Sequence, residues 1–162
     1  KLRESLPDTK LSVDLFGYST VSNDDMGIGQ VLEDSFDYFD YISPMVYPSH
    51  YRGGFRGYSN PAQYPYEVIK YSMQEALKKH TAYYNKLQVT EETKIINKAK
   101  FRPWIQDFDI GANYTVAMVK EEIQAITDVL GNDFNGFMLW NPSNVYTTEA
   151  IKLPNANNQI IK

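Results

Sequence analysis

The sequence predicts an α/β protein built from parallel strands, and three observations carry that expectation. Four strand-like runs recur, at 11–17, 41–48, 101–107 and 136–142, each rich in aliphatic and aromatic residues. Segments with helical spacing of apolar residues lie between them, and such a βαβαβαβ series calls for parallel strands joined by crossovers. Each run closes on polar or aromatic residues: Asp14, Tyr47, Gln106 with Asp107, and Trp140 with Asn141. Ligands of parallel α/β folds sit beyond the carboxyl ends of the strands, so one shared site is expected there.

Taken in order, residues 1–6 read as the tail of a helix closed by Pro7. In the first strand Leu11, Val13 and Leu15 alternate with Ser12, Asp14 and Phe16, and period two gives each set its own face. The aliphatic set is expected to meet the helices, which turns Asp14 toward a barrel interior or cleft. A polar loop over 22–29 leads to a short helix at about 30–38. In the second strand Ile42, Pro44 and Val46 oppose Ser43, Met45 and Tyr47. The loop over 49–58 is rich in Gly, aromatics and Arg, and its length marks it as the expected substrate-facing loop.

Pro65 can open the longest helix, since proline is accommodated at the first helical position. Ile69, Met73, Ala76, Leu77, Tyr84 and Leu87 form its core-facing stripe. A second helix is expected over 116–130, with Val119, Ile123, Ile126 and Leu130 buried and Gly131 ending it. Residues 147–151 read as the start of a terminal helix. No shift of composition marks a second domain, so residues 1–153 are expected to form one unit followed by a polar tail at 154–162.

At 162 residues the chain can bury a real core, and its 43% apolar and 22% charged content is that of a globular protein. No run approaches the roughly 20 apolar residues of a membrane span. A net charge of −4 argues against nucleic acid, which calls for clustered Lys and Arg. Lys78, Lys79, Lys94, Lys98 and Lys100 are expected to coat solvent-facing surface. Without cysteine there are no disulfides or thiolate metal sites. Two distant histidines, His50 and His80, do not suggest a metal centre, and Asp24-Asp25 lacks the full pattern of a calcium loop. The 13 tyrosines and many asparagines suit a sugar-binding groove, which uses aromatic platforms and amide hydrogen bonds.

Asp14 is the first catalytic candidate, because a carboxylate at an inward strand end can act as acid, base or nucleophile. The competing reading is an aspartate that accepts bonds from loop amides or an Arg. Asp107 and Asp109 form the second candidate pair, with Asp107 ahead of Asp109. If Ile105 faces the helices, parity sends Trp104 and Gln106 inward and Asp107 outward, where it could instead cap the next segment. Gln106 then reads as a hydrogen-bonding site residue. Tyr47, His50 and Tyr51 gather after the second strand as substrate-binding candidates, while His80 reads as structural or solvated. Trp140 and Asn141 end the last strand. Trp140 offers a stacking plane for a sugar, or equally the last layer of a barrel core. No Walker loop, GxSxG elbow or HExxH motif occurs.

At these residues the chain resembles the bacterial family of glycosyl hydrolase barrel domains, related to the α-amylase-like (β/α)8 glycosidases. The resemblance rests on the blocks 12–18 (SVDLFGY), 43–51 (SPMVYPSHY), Asn60-Pro61 with Pro65-Tyr66, 102–108 (RPWIQDF) and 136–146 (GFMLWNPSNVY), in that order. It implies a polysaccharide-cleaving enzyme without a cofactor, exported or attached to the cell surface, with a carbohydrate as its partner. It also implies that this chain is the C-terminal half of a TIM barrel, strands five to eight, because the full barrel takes about 250 residues. In the family the preceding strand carries a further inward aspartate, the more natural nucleophile, and nothing here matches its motif. Asp14 would then be its partner or a substrate-binding carboxylate. The isolated half is expected to be inactive and to pair with a second copy, bind the missing N-terminal half, or flatten into an open sheet, a homodimer being the first expectation. The alternative is a barrel that binds cell-surface glycan without cleaving it.

Overall fold

The computed structural model describes residues 2–88 and 98–152; the polar tail and Lys94 therefore lie outside the described residues. Five strands, β1 (Ser12–Phe16), β2 (Tyr41–Met45), β3 (Lys100–Phe101), β4 (Trp104–Gln106) and β5 (Met138–Trp140), form one parallel sheet. Its order is β1-β2-β4-β5, with β3 also on β2. The path does not close on itself: β1 and β5 are edges. The α/β class and the parallel strands are as expected, and the sheet is open.

The third predicted strand is split, and proline explains the break. Arg102 N–H donates to Ile42 O at 3.0 Å and Val46 N–H to Trp104 O at 3.1 Å. The rung between them belongs to the N–H of residue 44, which is proline and has none.

Among the described residues three helices accompany the sheet: α1 (Leu2–Ser5), α2 (Pro65–Gln88) and α3 (Val116–Leu130). Proline opens α2 as expected, and its stripe buries Ile69, Met73, Ala76 and Tyr84 while Leu77 and Leu87 are half-buried. Thr115 Oγ1 accepts from Met118 N–H at the start of α3, and Gly131, at φ +50°, ends it. The two helices pack against each other and cover one face of the sheet. Ile42, Ile69, Met73, Ile105 and Ile126 are fully buried between these layers. Each contributes about 1.5–3 kcal/mol by leaving water. The opposite face, bearing Ser12, Asp14 and Phe16, carries no helix of this core and is called the inner face below.

Three expectations are corrected. The helix at 30–38 is a single 3-10 turn, Glu33–Ser35. Leu32 O, which an α-helix would offer to Phe36 N–H, is taken by the Ser35 N–H and by the Ser35 hydroxyl at 2.6 Å, and Phe36 N–H turns to Glu33 O instead. The terminal helix at 147–151 is likewise one 3-10 turn, Thr148–Ala150. Lys79 is not part of a solvent coat: its side chain is 13% exposed and lies 3.5 Å from Glu33. Its ammonium donates to the carbonyls of Ser19 and Ser22, tying α2 to the loop after β1. His80 is structural, with Nε2 2.8 Å from Ala99 O.

Candidate active site

Register places the inner-face side chains in rows. Asp14 pairs with Ser43, Phe16 with Met45, Met45 with Trp104, Trp104 with Met138, and Gln106 with Trp140. Residues so aligned in a parallel sheet point to the same face. Asp14 is exposed, and its Oδ1 accepts the Trp104 indole N–H at 2.9 Å. Trp104 in turn meets Trp140 edge to face, with ring centroids 6.2 Å apart and planes at 90°. Phe16 and Trp140 remain 54% and 43% exposed, which leaves this aromatic surface open to solvent. Below it the Arg102 guanidinium lies over the Tyr41 ring at 3.9 Å.

Beyond the strand ends sits a second cluster. The rings of Tyr47, His50 and Phe108 pack mutually edge to face, with centroids 5.3–5.9 Å apart. Gln106 is fully buried beneath them, and both ends of its amide are engaged. Its Oε1 accepts from Ser49 N–H at 3.1 Å and its Nε2 donates to Phe108 O at 2.9 Å. Gln106 thus locks the start of the long loop to the end of β4. Burial raises the Tyr47 hydroxyl well above its usual range, and the nearby Asp14 carboxylate adds to the shift. Tyr47 therefore remains a hydrogen-bond donor. Burial lowers the proton affinity of His50.

Asp107 and Asn141 come together on the other side of β4. Asp107 is buried, as outward parity requires, and its Oδ2 accepts Thr147 N–H at 2.7 Å. The Asn141 amide donates to Asp107 O and accepts from Ser143 N–H. Both line a cleft of about 550 Å³ with Asp109 and Tyr114.

Tyr51 is placed apart from these residues. It is 4% exposed, and its hydroxyl receives the Ser72 hydroxyl of α2 at 2.8 Å. The chain end of β1 passes so close that a Cβ on Gly17 would lie 2.4 Å from Met45 O and 2.9 Å from the Tyr51 hydroxyl. Only glycine fits.

One residue escaped the sequence reading. Glu122 of α3 is fully buried, receives the Tyr114 hydroxyl at 2.6 Å and bonds the Gln106 backbone. Its Oε2 has no partner among the described residues. Burial, with the Asp107 charge, pushes its carboxyl well above the usual carboxylate range and so favours its neutral form. The signal was available: residue 122 falls between Val119 and Ile126 on the apolar stripe of α3. A glutamate there breaks the pattern.

Among the described residues no three His, Asp or Glu side chains gather as a metal would require, and no helix is long and apolar enough to cross a membrane. A family model described as "Putative glycosyl hydrolase domain" matches residues 2–146. The chain belongs to that family. The glycosyl hydrolase match spans β1 to β5, and with them the Asp14–Trp104 pair and the Tyr47 cluster. No curated protein and no solved structure matches the chain.

Proposed function

We propose that this chain supplies four consecutive βα units of a (β/α)8 glycoside hydrolase barrel acting on the glycosidic bonds of a polysaccharide, outside the cell or on its surface. Residues 1–153 are its barrel part. The observation that carries the reading is the Asp14 carboxylate, at the middle of β1, held at 2.9 Å by the Trp104 indole, which the exposed ring of Trp140 meets edge to face. In this reading Asp14 supplies a carboxylate to the sugar, Trp140 stacks on a ring face, and Tyr47 donates to a hydroxyl with His50 beside it. Asp107 and Asn141 hold the loop after β5, while Gln106 and Tyr51 support the second-strand loop from behind.

Glycosidic cleavage uses two carboxyl groups, about 5–5.5 Å apart for retention and roughly 6.5–9.5 Å for inversion. Among the described strand residues Asp14 is the one acidic side chain. The second carboxyl therefore comes from the half that closes the barrel against β1 and β5, either four further βα units or a second copy. Alone, this chain has little hydrolase activity. The same single carboxylate favours a second reading, a barrel that binds glycan without cleaving it.

Mass-spectrometric oligosaccharide release from a polysaccharide panel separates the two. The chain is compared with a form extended upstream by four βα units and with that form carrying Asp14→Asn. Cleavage by the extended form, lost on Asp14→Asn, is the expected result. Binding without cleavage would favour the second reading, and neither binding nor cleavage would refute both.

A further inference from the structure

We propose that Trp104 is the positioning residue for Asp14, an inference that rests on the glycosidase reading and deepens it. Asp14 stands on the edge strand β1, is exposed, and forms one hydrogen bond among the described residues, at Oδ1. That bond holds the carboxylate in one rotamer. The donor comes from β4, two strands away, because β2 lies between. Adjacent strands are about 4.8 Å apart, so the bond crosses close to 10 Å of sheet. An indole is long enough to span that width and ends in a donor; Phe lacks the donor and Tyr would bring an acceptor as well.

Trp104 is itself well placed to hold still. It stands on an interior strand, half-buried, with the Trp140 ring perpendicular to it. An indole N–H only donates, so Oδ1 is occupied as an acceptor and Oδ2 is left for a ligand. Trp140, on the other side of Trp104 from Asp14, stands perpendicular to it and adds an exposed ring face to the same inner surface, which suits the face of an uncharged hexopyranose. Trp104 thus sets where the carboxylate meets the sugar.

The chain contains two tryptophans, so a nitrogen-15 spectrum carries two indole N–H signals, assigned with Trp140→Phe. The Trp104 signal is expected to move on Asp14→Ala while that of Trp140 stays; an unmoved Trp104 signal overturns the proposal. A second arm measures binding of maltohexaose and cellohexaose. Trp104 is replaced by benzothienylalanine, which keeps the ring volume and lacks the N–H, and in parallel by Phe. Loss of a hydrogen bond to a charged group is expected to weaken binding about tenfold or more in both variants. Binding by the benzothienyl variant as tight as wild type overturns the positioning role. If the unaltered chain and its extended form bind neither sugar, the glycosidase reading fails, and the indole signal alone decides whether Trp104 holds Asp14.

Discussion

Glu122 gives the sharpest test of the site's interior. The unfolded chain ionises this residue near the ordinary value of 4.5, whereas the folded protein keeps it neutral to a higher pH. Between those two values the unfolded state binds fewer protons, so stability is full below 4.5 and falls as pH rises toward the folded value. The slope is about 1.4 kcal/mol per pH unit for one such group. Glu122→Gln is neutral at every pH and keeps an oxygen for the Tyr114 hydroxyl. Its stability relative to wild type should therefore rise by about 1.4 kcal/mol for each pH unit above 5 while the native carboxyl stays protonated. Urea unfolding of both proteins at pH 5, 6 and 7, followed by circular dichroism, measures the difference. Burial lowers the proton affinity of His50 and His80, which drives stability the other way with pH, but both are common to the two proteins and cancel. A difference that stays flat from pH 5 to 7 would mean that Glu122 is ionised in the folded state, and the account of its burial would fall.

Other perturbations have equally definite outcomes. His80→Phe tests the opposite sign: wild type should lose stability relative to the variant as pH falls below 6.5, because burial depresses the folded value of His80. Urea midpoints at pH 7 and 5 measure it, and a constant difference contradicts it. Lys79→Met removes the bonds to Ser19 O and Ser22 O, which should cost about 1–3 kcal/mol and speed proteolysis within 21–29. An unchanged cleavage rate would show that the ammonium does not anchor that loop. Tyr84→Phe leaves Phe36 O and Ala99 N–H without their hydroxyl partner, and thermal unfolding should register a loss of about 1–3 kcal/mol.

Much of this arrangement was legible in the residues. Period-two alternation placed Val13 and Leu15 on the helix side and Asp14 on the other, and helical spacing with Gly131 gave α3 its bounds. Local pattern failed where side chains compete for backbone groups. Leu32 and Phe36 have helical spacing and are buried, yet Ser35 takes the Leu32 carbonyl that Phe36 N–H would need in a helix at 30–38. Parity put both Trp104 and Gln106 inward, but it could not tell that Gln106 is consumed by Ser49 and Phe108 while Trp104 reaches Asp14. Such long-range pairings depend on which strands become neighbours. Lys79 looked like a surface charge because charge alone does not announce burial, whereas Glu122 was legible from its place on the apolar stripe of α3.

Gly17 shows how the backbone sets distances that side chains then use. It lies three residues after Asp14 and faces the carbonyl of Met45, two residues before Tyr47. A methyl group there would need Met45 O to retreat from 2.4 Å to an ordinary contact, moving apart the two strand ends that carry these residues. The spacing between the carboxylate of one strand and the phenol of the next is therefore governed by a position with no side chain. Variation that enlarges residue 17 would shift that carboxylate against that phenol without altering either side chain.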